Sequence, residues 1–128
     1  MILSLDHFAL GVVDFEAERV FFMETLGFEL KRLGTRHGTG AQIAFLADQA
    51  SNFKIELVEA SDKETGILHL AFRVDNVQVE YQNLLANGLL SIQEPHELPA
   101  AKAKTALLEA ASGLKIQIIE YAPDSPDL

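Results

Sequence analysis

Four polar residues occupy repeated places in two similar stretches of the chain, and their side chains are of the kind that bind metal ions. His7 and His69 lie in LDHFALGVV and ILHLAFRVD, and Glu56 and Gln117 lie in FKIELVE and LKIQIIE. Two imidazole nitrogens, a carboxylate and a carboxamide oxygen suit a divalent first-row metal, with positions left for water or substrate. A single strand histidine or glutamate is more often an ordinary structural residue. The repeated placement therefore favours a metal site.

The chain shows an internal duplication. LDHFALGVVDFEAE (residues 5–18) aligns with ILHLAFRVDNVQVE (67–80) at an offset of 62, and AFLADQASNFKIELVE (44–59) aligns with TALLEAASGLKIQIIE (105–120) at an offset of 61. The second alignment pairs Leu46 with Leu107 and Glu56 with Gln117. Two nearly equal offsets indicate that one unit occurs twice.

Each copy is predicted to contain a strand, a helix and three further strands. Asp14 and Asn76 are expected to cap the two helices, and Gly27 and Gly88 to end them. The predicted strands are 7–13, 28–33, 41–47, 53–59, the region after residue 66, 89–93, 104–108 and 114–121. This order predicts an α+β fold of two tandem βαβββ modules, residues 1–61 and 66–122, within one domain (1–122). Residues 123–128 are expected to form a flexible tail.

Strand alternation predicts that the four polar residues lie on the face of their strands opposite the helix. Successive side chains of a strand point to opposite faces, so the large apolar residues of each strand pack under the helix and the four polar residues lie on the opposite, concave face. The apolar set is Phe8, Leu10, Val12, Ile55, Leu57, Phe72, Ile116 and Ile118. If the copies face each other about a two-fold axis, His7, Glu56, His69 and Gln117 converge. Glu120 has the opposite parity to Gln117 and is expected to face away.

The composition excludes several classes of protein. The 128 residues include no Cys, which rules out disulfides, zinc fingers, iron–sulfur clusters and a thiol nucleophile. The formal charge is −9, which disfavours a nucleic-acid partner. No basic leader and no apolar run of membrane-spanning length occur in the sequence, so no membrane association and a cytoplasmic location are expected. The 48% hydrophobic content is sufficient for a folded core.

The segment LDHFALGVVDFEAERVFFMETLGFEL resembles the opening of the vicinal oxygen chelate superfamily, which includes glyoxalases, bleomycin-resistance proteins and extradiol dioxygenases. FKIELVEA, GILHLAFRVDNV and SGLKIQIIEY resemble later motifs of that superfamily. The resemblance implies that each βαβββ module curls into half of an open barrel. It also implies that the metal positions are His7, Glu56, His69 and Gln117, the same four residues that strand parity selects.

The resemblance implies a metal-dependent, glyoxalase-like lyase or isomerase. Such an enzyme moves a proton on a small substrate that chelates the metal through two oxygens, with Glu56 as the catalytic base. The metal would be Ni, Co, Mn, Zn or Fe. Arg73, four residues after His69, is the candidate substrate-binding residue, and Lys31, Arg32 and Arg36 are further basic residues near a glycine-rich turn. A homodimer is expected, with modules paired within a chain or exchanged between chains.

Two other functions remain open. One is a metal-free protein of the same fold that binds or confers resistance to a small molecule. The other is an extradiol dioxygenase, whose facial triad requires a glutamate where this chain has Gln117. Methylmalonyl-CoA epimerase also resembles the ligand set, but it has the amide in its first module and a connection longer than 60–68, so it is not favoured. His37 and His96 are expected in surface loops, and 93–102 is expected to be a loop or lid.

Overall fold

The structure is a computed structural model that describes residues 1–36 and 38–128, so His37 lies outside the described residues. The elements, in chain order, are β1 (Ile2–Val12), α1 (Phe15–Val20), β2 (Glu29–Thr35), β3 (Gln42–Ala47), β4 (Lys54–Glu59), β5 (Gly66–Val74), α2 (Val77–Ala86), β6 (Leu90–Leu98), β7 (Ala103–Glu109) and β8 (Lys115–Tyr121). A π-helical turn, Phe21–Thr25, continues α1, and 3-10 turns occupy Asp62–Glu64 and Pro99–Ala101. The described strands pair in parallel and antiparallel ladders. The predicted α+β fold with two βαβββ modules is confirmed.

The chain divides into two compact units. His7–Leu68 form one, here called the N-terminal unit, and Met1–Asp6 with His69–Leu128 form the other, the C-terminal unit. Within the N-terminal unit the strand order is β2-β3-β4-β1, and within the C-terminal unit it is β5-β8-β7-β6. The β1–β4 and β5–β8 ladders are parallel, and the other ladders within each unit are antiparallel. The first six residues thus group with the second half of the chain.

Both helices begin at the predicted caps. The Asp14 side chain accepts a hydrogen bond from the Ala17 amide at 3.1 Å, and the Asn76 side chain accepts one from the Val79 amide at 3.0 Å. Each bond satisfies an amide that has no partner within the helix. After the first helix, Gly27 has a φ of 76°, a left-handed conformation that glycine adopts without a Cβ penalty.

The N-terminal unit has an apolar cluster on each face of its strands. The cluster under α1 contains Val12, Phe15, Ala44, Leu46, Ile55 and Leu57, with Phe8 and Leu10 packed against it. The cluster on the opposite face contains Ala9, Ile43, Phe45 and Val58. The alternation predicted for β1 and β4 is therefore observed, and it places the residues of odd number in β1 on the face away from the helix.

The C-terminal unit repeats this arrangement. The cluster under α2 contains Val74, Val77, Tyr81, Ala106, Leu108 and Ile118, with Ile116 packed against it. A second cluster contains Ala101, Ala103, Ile119 and Tyr121. Ile116 and Ile118 lie on the helix side, as predicted, so Gln117 between them lies on the other face.

The segment expected to be a loop or lid is instead most of strand β6. His96 lies within β6 and is half-buried, so its predicted position in a surface loop is wrong. β6 is the outermost strand of the C-terminal unit, and its register against β7 shifts between Gln93 and His96, around Pro95. Proline is tolerated at such a place because an edge strand or a bulge does not need every backbone donor.

The last residues pack against the C-terminal unit instead of forming the expected loose tail. Ser125 and Asp127 are buried, and the Ser125 hydroxyl donates a hydrogen bond to the Ala101 carbonyl. The Lys102 ammonium forms an ion pair with Asp124 at 2.7 Å. Across residues 1–36 and 38–128, no helix combines the length and apolar character that crossing a membrane requires.

Candidate metal site

His7 and Glu56 are brought together on one face of the N-terminal unit. In the parallel β1–β4 ladder Ala9 is the partner of Glu56, and His7 lies two residues before Ala9. A ring nitrogen of His7 and a carboxylate oxygen of Glu56 lie within 4.8 Å of one another. His7 is 1% exposed and its Nε2 atom is buried, whereas Glu56 is half-buried. The small side chain of Ala9 leaves room for both polar groups.

Aromatic and cationic side chains continue this face away from Glu56. Phe45 on β3 is the partner of Glu56, and Arg32 on β2 is the partner of Phe45. The Phe45 ring lies edge-on to His7, with centroids 5.1 Å apart and planes at 80°. The guanidinium carbon of Arg32 lies 5.3 Å from the same ring centroid, within the range of a cation–π contact.

A bulge in β2 determines which basic residue lies opposite Phe45. The β2–β3 register shifts between Leu30 and Arg32, so Lys31 is the extra residue and Arg32 takes the place opposite Phe45. Lys31 instead donates a hydrogen bond to the Asn52 side chain at 3.3 Å. The sequence names both residues as basic neighbours of a turn, and only the register separates them.

His69 and Gln117 have the corresponding positions in the C-terminal unit. In the parallel β5–β8 ladder Ala71 is the partner of Gln117, and His69 lies two residues before Ala71. His69 is 9% exposed and its Nε2 atom is buried. The relation of histidine, alanine and side-chain oxygen donor is therefore the same in both units.

The carboxamide of Gln117 is held at one end. Its Nε2 donates a hydrogen bond to Thr105 Oγ1 at 2.9 Å, and Thr105 Oγ1 donates one to the Ile118 carbonyl at 2.8 Å. The Oε1 atom of Gln117 is buried and has no hydrogen-bond partner in the described part of the chain. A buried carbonyl oxygen without a partner is costly unless something binds it.

The strand registers correct one part of the repeat alignment. The row in the N-terminal unit is Ala9, Glu56, Phe45 and Arg32, and the row in the C-terminal unit is Ala71, Gln117, Leu107 and Gln93. Leu107 is thus the counterpart of Phe45 and not of Leu46. The offset changes because the β3–β4 turn is one residue longer than the β7–β8 turn. Phe45 was not predicted as a site residue, and it enters this row through the β3–β4 register.

Glu120 faces away from this row, as its parity predicts. Its carboxylate accepts a hydrogen bond from the Val77 amide at 2.9 Å, at the beginning of α2. A carboxylate stabilises a helix at this end because the amides there lack partners and the helix dipole is positive. Glu120 therefore has a structural role in the C-terminal unit.

Arg73 lies on β5 with the same parity as His69 and Ala71. It is half-buried, and its partner in β8 is Ile119. Its counterpart in the first repeat is Gly11, where an added Cβ would lie 2.3 Å from the Glu64 carbonyl oxygen. The arginine position is therefore specific to the second repeat, which is compatible with a role in binding.

The residues fit a divalent first-row metal. Two imidazoles, one carboxylate and one carboxamide form a mixed nitrogen and oxygen set, which such ions accept. The buried Gln117 oxygen, which has no hydrogen-bond partner among residues 1–36 and 38–128, is the observation in this structure that is compatible with a metal ligand here.

Comparisons with known proteins identify the family. The model of the Glyoxalase/Bleomycin resistance protein/Dioxygenase superfamily matches residues 6–106. The chain belongs to this superfamily, which confirms the resemblance seen in the sequence. No curated protein matches the chain significantly.

Solved structures show the same fold. Hypothetical protein BH1468 from Bacillus halodurans C-125 is 27% identical, with a TM-score of 0.77 and coverage of 94% of this chain and 96% of that one. Methylmalonyl-CoA epimerase from Mycobacterium tuberculosis is 24% identical, with a TM-score of 0.82 and coverage of 95% and 90%. A variant of Streptomyces coelicolor methylmalonyl-CoA epimerase in complex with 2-nitronate-propionyl-CoA is 17% identical, with a TM-score of 0.79 and coverage of 95% and 99%.

The alignment covers 99% of the Streptomyces chain, so the two proteins share the fold over nearly their whole length. The order of the acid and the amide along the chain remains the difference that the sequence predicts.

Proposed function

We propose that this chain is a metal-dependent lyase or isomerase that moves a proton on a small substrate. The observation that supports this most strongly is the repeated geometry of the two units. Each unit places a buried histidine two residues before an alanine whose ladder partner offers an oxygen donor, Glu56 in one unit and Gln117 in the other. Such a repeat is not needed for packing, and under this proposal it would supply the four ligands of one metal ion.

His7, Glu56, His69 and Gln117 would hold the ion. When bound, a divalent ion supplies a Lewis acid for two neighbouring oxygens of the substrate. The histidines contribute neutral nitrogen ligands, and Gln117 contributes an oxygen that cannot take a proton. Glu56 contributes the single negative charge of the set.

Glu56 would act as the general base. Its carboxylate accepts the proton as the C–H bond next to the substrate carbonyl breaks, and after exchange with solvent it returns a proton as a new C–H bond forms. A carboxylate in this role is most effective when it is shielded from bulk water. The half-buried position of Glu56 beside Phe45 meets this need.

Two arginines would bind an anionic part of the substrate. Arg73 has the parity of His69, and Arg32 lies two strands from Glu56, a separation of roughly 10 Å for adjacent strands spaced as usual. The contact of Arg32 with Phe45 restricts the guanidinium, so less conformational entropy is lost on binding. A carboxylate or phosphate on the substrate fits this arrangement.

The substrates that follow from this chemistry are acyl-CoA thioesters with an acidic α-carbon and hemithioacetals. The fold shared with methylmalonyl-CoA epimerases supports testing the thioesters first. An extradiol dioxygenase and a metal-free binding protein are the alternatives. The homodimer and the cytoplasmic location remain predictions.

The test is hydrogen exchange in deuterated water. Protein loaded separately with Ni, Co, Mn or Zn is incubated with methylmalonyl-CoA, and in parallel with the hemithioacetal of methylglyoxal and glutathione. We expect deuterium at the α-carbon in wild type and its loss in Glu56→Gln, which keeps an oxygen ligand but cannot accept the proton. Equal exchange in both proteins would contradict the role of Glu56. Oxygen consumption with a catechol and iron would instead support a dioxygenase.

A further inference from the structure

Thr105 has only one hydrogen to donate, and its position determines how Gln117 lies. The Thr105 hydroxyl donates to the Ile118 carbonyl at 2.8 Å, so its oxygen can only accept from a second partner. The partner present is Gln117 Nε2, at 2.9 Å. The NH₂ group of the carboxamide therefore faces Thr105, and Oε1 is the atom left for a ligand.

A carboxylate at position 117 would not fit this hydrogen-bond network. A carboxylate has acceptors only, so it would compete with the Ile118 carbonyl for the one hydroxyl hydrogen. One of the two acceptors would then lose its bond in a buried place, since Thr105 is 3% exposed. A buried acceptor that loses its hydrogen bond destabilises the folded protein. The site thus favours an amide at position 117.

The N-terminal unit contains the matched counterexample. Ile43 is the residue that corresponds to Thr105. Ile43 pairs with Val58, two residues after Glu56, and Thr105 pairs with Ile119, two residues after Gln117. Ile43 has no hydroxyl and is buried in an apolar cluster. An apolar neighbour imposes no hydrogen-bond requirement, so a carboxylate can stand at position 56.

We propose that Thr105 is a positioning residue for Gln117 that turns the carboxamide oxygen toward the metal and makes position 117 select an amide over a carboxylate. This inference rests on the proposed function, because it assigns Oε1 as a ligand atom. It accounts for the replacement of the acid by Gln117 without loss of the site. The ligand set then has one negative charge, on Glu56, instead of two.

The first test measures metal affinity by titration calorimetry with Mn and with Ni. In T105V the carboxamide can rotate, and we expect affinity to fall about tenfold, as is common when a residue that orients a ligand is lost. In T105S, which keeps the hydroxyl, we expect affinity within about threefold of wild type. Equal affinities in wild type and T105V would overturn the proposal, with circular dichroism confirming that both variants fold.

The second test asks whether Thr105 disfavours a carboxylate. Q117E is made in wild type and in the T105V background, and Mn affinity is measured in all four proteins. We expect Q117E to strengthen binding at least threefold more in the T105V background, where the competing hydroxyl is absent. The same change in both backgrounds would contradict the selection of an amide.

A readout without metal separates this inference from the proposed function. In metal-free wild type, the hydrogen-bonded Nε2 proton of Gln117 should exchange slowly with water in nitrogen-15 NMR spectra, and it should exchange fast in T105V. Fast exchange in both proteins would overturn the positioning role. A protected proton in a wild-type protein that binds no metal would overturn the proposed function, and with it the assignment of Oε1 as a ligand.

Discussion

The imidazole of His7 and the ring of Phe45 lie edge to face, with their centroids 5.1 Å apart. Phe45 also contacts the guanidinium of Arg32 and is the ladder partner of Glu56. One aromatic side chain thus adjoins the proposed base, a proposed ligand and a proposed substrate-binding arginine of the N-terminal unit.

Phe45→Leu should destabilise the protein and weaken metal binding. Leucine is the natural residue at the corresponding position 107, but it cannot make the aromatic contact, which contributes about 0.5–1.5 kcal/mol beyond its buried area. We expect the free energy of unfolding in urea to fall by about 1–2 kcal/mol and Ni affinity to fall several-fold. Both are measured on the same preparation.

Phe53→Leu is the matched control for this prediction. Phe53 contacts Phe8 with ring centroids 5.6 Å apart, on the helix side of the N-terminal unit. Its loss should lower stability by a similar amount and leave Ni affinity unchanged. If both variants weaken metal binding equally, the effect of Phe45 is one of general stability and not of contact with His7.

Glu120→Gln should lower stability without changing metal binding. The variant keeps an acceptor for the Val77 amide but removes the negative charge at the beginning of α2. We expect a loss of about 0.5–1 kcal/mol in urea unfolding and unchanged Mn affinity. A fall in affinity as large as that of Gln117→Ala would mean that strand parity has been assigned wrongly.

Acid should destabilise the C-terminal unit partly through Glu80. Its carboxylate lies 2.8 Å from the terminal ammonium of Met1 and is 8% exposed. The hydrogen bond from this ammonium is the main cause that lowers the pKa of Glu80 below its usual 4.5, and Asn83 adds a second hydrogen bond. The unfolded chain therefore takes up this proton at higher pH than the folded chain.

The contribution of Glu80 is complete above pH 4.5 and is lost as the pH falls toward the pKa of the folded state. The measurement is urea unfolding of wild type and Glu80→Gln from pH 7 to pH 3. We expect the stability difference between the two proteins to shrink as the pH falls. A difference that stays constant would contradict the assignment.

Arg32→Met and Arg73→Met should raise KM for an anionic substrate more than they lower kcat. Both residues are proposed to bind a part of the substrate remote from the reacting carbon, where binding energy acts alike on the bound substrate and the transition state. The exchange assay with methylmalonyl-CoA gives both constants. Lys31→Met, whose side chain contacts Asn52 instead, should leave KM unchanged.

Local sequence signals predicted the faces of the strands and the helix starts. The alternation of Phe8, Ala9 and Leu10 depends only on neighbouring residues, and the capping by Asp14 and Asn76 depends on three-residue spacing. Both are found in the structure. Local geometry of this kind can be read from a single sequence.

The sequence could not predict which residues pair across strands. Arg32 enters the row of Glu56 only because β2 has a bulge, and Thr105 reaches Gln117 only because the β7–β8 turn is one residue shorter than its counterpart. Turn lengths and bulges set register by one residue, and one residue exchanges the two faces of a strand. The strand predicted over 89–93 likewise continues to Leu98, because the bulge between Gln93 and His96 accommodates Pro95.

The most direct test of the proposed metal site is the metal content of protein purified without chelators or metal-affinity resin. Wild type, His7→Ala, His69→Ala and His96→Ala are compared by elemental analysis, before and after soaking in Ni, Co, Mn and Zn. We predict about one equivalent of divalent metal in wild type and in His96→Ala, whose side chain lies on β6, and its loss in His7→Ala and His69→Ala. Absence of metal from soaked wild-type protein, or its retention in the folded His7 and His69 variants, would contradict the proposed site.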